Sequence, residues 1–148
     1  MNTQRHHNSK TNRSWQFNFD LTHTGVCLVY GTREYLKKQV EKRMPMFVAN
    51  GGLRDFDISH SQGCCVGSRR DNRSIIFLSN EHSVEYAETT YTLVHECTHS
   101  AHDIASFVNI PVAEESGNSE FIAYLVEYLY AACWRRLGKI HNGNRGHK

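Results

Sequence analysis

No apolar run in this chain of 148 residues approaches the roughly 18 residues that a membrane-crossing helix needs. A membrane-spanning protein is therefore not expected. The N-terminus is polar and lacks the apolar region of a secretory signal. The five cysteines, Cys27, Cys64, Cys65, Cys97 and Cys133, are odd in number and show no C-x-x-C spacing. That argues against a structural zinc ribbon and for reduced thiols in a cytoplasm. Charge is also in short supply: a formal excess of +2 is too small to argue for nucleic acid or a membrane surface, so neither is expected as a partner.

What remains is the composition of an ordinary soluble domain, 39% hydrophobic and 22% charged, with enough chain for one hydrophobic core. Residues 1–13 carry no large apolar side chain besides Met1 and read as an arm outside the fold. Residues 14–140 read as the single domain, and 141–148, with their Asn and Gly, as a tail. Within the domain, Trp15–Phe19 alternates apolar and polar residues as a half-buried strand does, and Gly25–Tyr30 reads as a deeper one. Thr32 is placed to cap a helix from Arg33 to about Lys42, and Asn50-Gly51-Gly52 forms a turn. Phe56–Ile58 and Cys64–Val66 are short strand candidates, and Ser74–Ser79 is the strongest strand in the chain. With two long helices following, the order predicts an α+β fold.

The first of those helices carries His95-Glu96-Cys97-Thr98-His99. On an α-helix, positions i and i+4 stack on one face, so His95 and His99 can offer two imidazole nitrogens to one metal ion. Glu96 then lies beside the metal, where a carboxylate can accept a proton from metal-bound water. Val94, Cys97, Ala101, Ile104 and Val108 draw an apolar stripe that predicts the buried side of this helix. His95, Glu96, His99, His102 and Asp103 fall on the other side. A catalytic zinc takes three protein ligands and keeps one open position. The extended pattern with a third histidine is excluded, because its last position is Ala105 and its glycine position is His102. The next source is a carboxylate on the second helix, Asn118–Leu137, where Glu120 and Glu127 share a face.

His-Glu-Cys-Thr-His followed by Ser-Glu-Phe-Ile-Ala-Tyr-Leu-Val-Glu-Tyr-Leu resembles the gluzincin group of zinc metallopeptidases. It is more similar still to the small H-E-x-x-H proteins of bacteriophages and prophages. The resemblance covers about residues 90–130. It implies a zincin-like minimal domain, in which a small, mostly antiparallel sheet packs on the H-E-x-x-H helix and a second long C-terminal helix. It implies Zn2+ on His95, His99 and Glu120, with Glu96 as general base and a peptide or protein as substrate. It also implies that Ser74–Ser79 edges the substrate groove, against the plainer reading of an ordinary core strand, and that the compartment is the cytoplasm of a bacterial host. Tyr124, one turn after Glu120, is a candidate oxyanion donor, with His102 and Tyr91 as competitors. Asp103, one turn after His99, is placed to orient a ligand histidine. His23, His60 and His82 read as surface residues, and Arg69, Arg70 and Arg73 as a solvated basic patch. The other function class in view is a catalytically silent binding or assembly protein on the same scaffold.

Overall fold

A computed structural model describes residues 12–19, 22–54, 62–81, 86–112 and 117–143. Four strands form one sheet: β1 (Arg13–Phe19), β2 (Thr24–Gly31), β3 (Gly63–Ser68) and β4 (Arg73–Ser79), in the order β1-β2-β4-β3. The outer pairs are antiparallel, but the central pair is parallel, with Leu28 opposite Ile76 and Val29 opposite Phe77. The sheet is therefore mixed, more antiparallel than not, around a parallel centre.

The parallel centre follows from side-chain character. β2 and β4 are near-continuous apolar runs, buried along almost their whole length, and such strands need cover on both faces. Helices supply it. Leu36, Val40 and Met44, from α1 (Arg33–Arg43) and the residue after it, pack with Cys27, Val29, Ile75 and Phe77 on one face. On the other face, α3 (Tyr86–Phe107) and α4 (Ser119–Gly143) pack over Val26, Leu28, Ile76 and Leu78. The chain is thus α+β in three layers, with helices on both sides of the sheet. Among the described residues no helix is long and apolar enough to cross a membrane.

Several boundaries move. β1 begins at Arg13, which pairs with Tyr30, and Asn12 Oδ1 accepts the Thr32 N–H at 3.0 Å. Residues 12 and 13 therefore belong to the fold rather than to the arm, since ladder pairing uses the backbone and asks nothing of side-chain polarity. At the other end α4 continues to Gly143, into the expected tail. Ser74–Ser79 forms β4 as expected but lies inside the sheet; the edge is β3. Phe56–Ile58, His60 and His82 lie outside the described residues.

Thr32 caps α1, its Oγ1 accepting the Tyr35 N–H at 3.1 Å. α3 ends where Asn109 turns left-handed, at φ 59°. Ile110 N–H then donates to Ala105 O at 2.9 Å, so the final carbonyls are satisfied. Arg69 is not merely solvated: its guanidinium donates to Ser106 O and Asn109 Oδ1, a cation where the helix dipole is negative. A short helix that the sequence reading lacks, α2 (Pro45–Ala49), starts on Pro45 and takes its N-terminal cap from elsewhere. Asp71, in the β3–β4 turn, accepts both the Met46 and Phe47 N–H groups at 3.0 Å.

Partial burial works against the Asp71 charge, but hydrogen bonds from Ser68, Met46 and Phe47, with the charge of Arg73, outweigh it and hold the carboxyl below its ordinary value. A lowered folded-state value means the stabilisation is present above the carboxylate range and lost as pH falls through it. Asp71→Ala is therefore expected to cost about 1 kcal/mol at neutral pH, the usual worth of a cap. Urea unfolding should show that the deficit shrinks below about pH 4, where wild type protonates the same carboxyl.

Candidate metal centre

α3 rests against β3 and β4 through Leu93, Cys97, Ala101, Ile104 and Ala105. The expected stripe is rotated slightly. Val94 is 40% exposed and Leu93 takes its place in the core, while Val108 falls beyond the helix end. A sequence period fixes the stripe only to within a residue, and tertiary packing chooses the side. Cys97, inside the H-E-x-x-H motif, is buried in the same core cluster as the buried Cys133 of α4. Ser100 is anchored below by Ser74 of β4, their hydroxyls 2.7 Å apart. These contacts fix the rotation of α3 about its axis, and so the direction in which the motif faces.

His95 and His99 project outward, and their Nε2 atoms converge to 3.1 Å. Two nitrogens on a tetrahedral zinc, each bonded at 2.0–2.1 Å, sit about 3.3 Å apart. The pair therefore has the spacing of two ligands on one ion. Glu96 is more enclosed than the two histidines, although it lines one groove with His95. It is only 6% exposed and sits in the seam between α3 and β3, its Cγ 3.3 Å from the position of a Cβ on Gly63. Burial pushes its carboxyl above the ordinary value, and the two histidines pull partly the other way. Gln62, Gly63, Tyr91, Thr92, His95 and Glu96 line a groove of about 370 Å³ here. The wall opposite the helix is the start of the edge strand β3, a position that only the strand order assigns.

The carboxylates and the tyrosine expected to complete the site lie on α4. Glu120 is exposed in the first turn of α4, Tyr124 is 68% exposed one turn on, and Glu127 is exposed further along. Among the described residues, no three His, Cys, Asp or Glu side chains converge on a common point. Tyr91, 73% exposed, lines the groove where Tyr124 does not. Asp103 accepts a hydrogen bond from Cys65 Sγ at 3.6 Å, and burial pushes its carboxyl up, against the pull of His99 and His102. His23 lies in the β1–β2 turn at φ 54°. No cysteine pairs as a disulfide among the described residues. Cys64, beside the groove wall, is pushed up to about 12 by burial, with the Glu96 charge adding to it, which leaves its thiol protonated and a poor nucleophile. Gln62, Gly63 and Thr92 are the groove-lining residues that carry no assignment in the sequence. Their one signal was the Gly in the segment before a strand, a residue that allows close backbone approach.

No family model matches this chain, nor does any curated protein or solved structure.

Gly63 is required by the close approach of β3 to α3. A Cβ there would stand 2.6 Å from Thr92 Cγ2 and 2.8 Å from the Phe77 carbonyl oxygen. The oxygen belongs to the interior strand and cannot swing aside. Gly63→Ala is expected to cost about 1–3 kcal/mol in chemical unfolding, the range for inserting a methyl into packed space. Unchanged stability would mean that β3 is free to lift away from the helix.

Proposed function

We propose that this protein is a zinc-dependent hydrolase of peptide bonds, with His95 and His99 as two metal ligands and Glu96 as general base. The observation that carries the reading is the convergence of two imidazole nitrogens at 3.1 Å beside a carboxyl that opens on a groove. A fold has no structural need for that combination. The donor chemistry suits zinc, which takes imidazole and carboxylate together. Two donors have the spacing the ion requires. The third, Glu120 by resemblance to gluzincins and phage-type H-E-x-x-H proteins, has to come to the pair from the first turn of α4.

Zinc held there supplies Lewis acidity toward a water and a substrate carbonyl. The chain's own residues do the rest. Glu96 accepts the proton of the attacking water and returns it to the leaving amine nitrogen. Its seat in the seam keeps that carboxylate on the groove it lines with His95, where a scissile bond lying along β3 would pass. Tyr91, on the groove wall, is better placed than Tyr124 to donate a hydrogen bond to a developing oxyanion. A second reading, a silent scaffold for binding or assembly, is favoured by one observation: three ligands do not converge among the described residues.

Two measurements separate the readings. Elemental analysis of the purified protein should find one zinc per chain, lost in His95→Ala. Glu120→Ala should weaken zinc binding by more than the ~10–100-fold typical of removing an outer hydrogen-bond partner, whereas Glu127→Ala should leave it unchanged. The reverse order would transfer the third ligand to Glu127, and a wild-type chain without zinc would remove the metal centre.

Glu96→Gln is expected to keep both the zinc and the fold while lowering peptide hydrolysis by about 10²–10⁴-fold, the usual worth of general-base catalysis. A peptide library with the wild-type protein supplies the substrate for that comparison. Wild-type hydrolysis that survives the substitution would take Glu96 out of the chemistry.

A further inference from the structure

The small net charge conceals a strong segregation. All 15 acidic residues lie between Asp20 and Glu127, whereas the first 13 and the last 21 residues hold eight lysines and arginines and no acid. The stretch between them is left with nine cations against those 15 acids. In the sequence these basic ends are at maximum separation. In the fold β1, which follows the first of these stretches, and the last turns of α4, which carry Arg135, Arg136 and Lys139 of the second, lie side by side.

Their meeting place is a groove of about 560 Å³ lined by Ser14, Trp15 and Gln16 of β1 and by Arg135, Arg136 and Lys139 of α4. Arg135 and Lys139 are exposed, one helical turn apart, and neither forms an ion pair among the described residues. Arg136 is held, its guanidinium 4.5 Å from the centroid of the Phe17 ring. Trp15 is partly exposed within this cationic setting. β1 and β3 are opposite edges of the sheet, so this groove and the His95–Glu96 groove lie on opposite flanks of the molecule.

We propose that this face binds single-stranded nucleic acid, with backbone phosphates on Arg135 and Lys139 and a base against Trp15. Charge alone would suit any polyanion, including an acidic peptide. The indole decides between them, since every base offers a π-face to an aromatic ring and a carboxylate side chain does not. The net charge of the whole chain had argued against nucleic acid only because the acids of the central stretch cancel the cations of the ends.

The test uses the full chain and a fluorescently labelled oligothymidylate longer than the roughly 4–16 nucleotides such grooves cover. Anisotropy should report binding at low salt, weakening steadily as salt rises. Arg135→Gln with Lys139→Gln should bind about tenfold more weakly, and its slope of log affinity against log salt should fall by about 0.7 for each neutralised cation. Both side chains are exposed, and an unchanged melting temperature in the double variant confirms that the loss is not unfolding. Polyglutamate should compete poorly. The proposal is overturned by a wild type that does not bind the strand, by a double variant with wild-type affinity and slope, by polyglutamate that displaces the strand as well as unlabelled strand does, or by a duplex that binds more tightly.

Discussion

The parallel pairing of β2 with β4 is the constraint from which the rest of this structure follows. Its residues alternate between two cores, Cys27, Val29, Ile75 and Phe77 facing α1 while Val26, Leu28, Ile76 and Leu78 face α3 and α4. At about 25 cal/mol for each Å² of apolar surface removed from water, neither set can be left exposed. The antiparallel strands β1 and β3 then take the flanks, and the two long helices share one face. α4 lies toward β1, where Tyr128 meets Phe19 edge-on at 5.3 Å, and α3 lies toward β3 and β4. The segregation of the two grooves to opposite edges is a consequence of this arrangement.

α3 is held against rotation by unlike contacts. Cys97 packs in one core cluster with Cys133 on the α4 side, and the Ser100 hydroxyl meets that of Ser74 beneath. Asp103 reaches Cys65 on the β3 side, next to Gly67, where a Cβ would come within 2.3 Å of the carboxylate. A small turn of the helix would expose Leu93 or bury His95, so the motif faces outward because its other side is fully committed. The same rotation puts Glu96 in the seam, where burial disfavours its charge. A buried carboxyl without an ion pair costs stability. In a helix positioned only for packing, an apolar residue would serve better there, and that cost is the physical sense in which the seam resembles a reactive site.

Charge is distributed with similar economy. Cations that stabilise the fold are placed near partial negative charge or a carboxylate, as Arg69 is at the end of α3 and Arg33 at Glu81. Arg135 and Lys139 form no ion pair among the described residues and line the groove beside β1.

Local chemistry determined much of this protein. The apolar run of β4, the capped start of α1 at Thr32 and the long periodic helices were legible because each depends on neighbours within a turn or a strand. So was the pairing of His95 with His99, since helical pitch alone puts them together. What depends on distant residues was decided by the tertiary structure. Asp71 caps α2 from 25 positions away. β4, which reads equally well as an edge or a centre, became a centre because β3 paired on its outer side. The rotation of α3 exchanged Val94 for Leu93 and enclosed Glu96, a choice made by packing among several residues that a period of 3.6 leaves equivalent. Neither the spacing from His99 to Glu120 nor the shared face of Glu120 and Glu127 fixes where either carboxylate lies relative to the histidines, because that depends on how α4 lies across α3. Nor could the chain order show that β1 and the last turns of α4 adjoin. That follows from the strand order and the run of α4, which close the molecule upon itself.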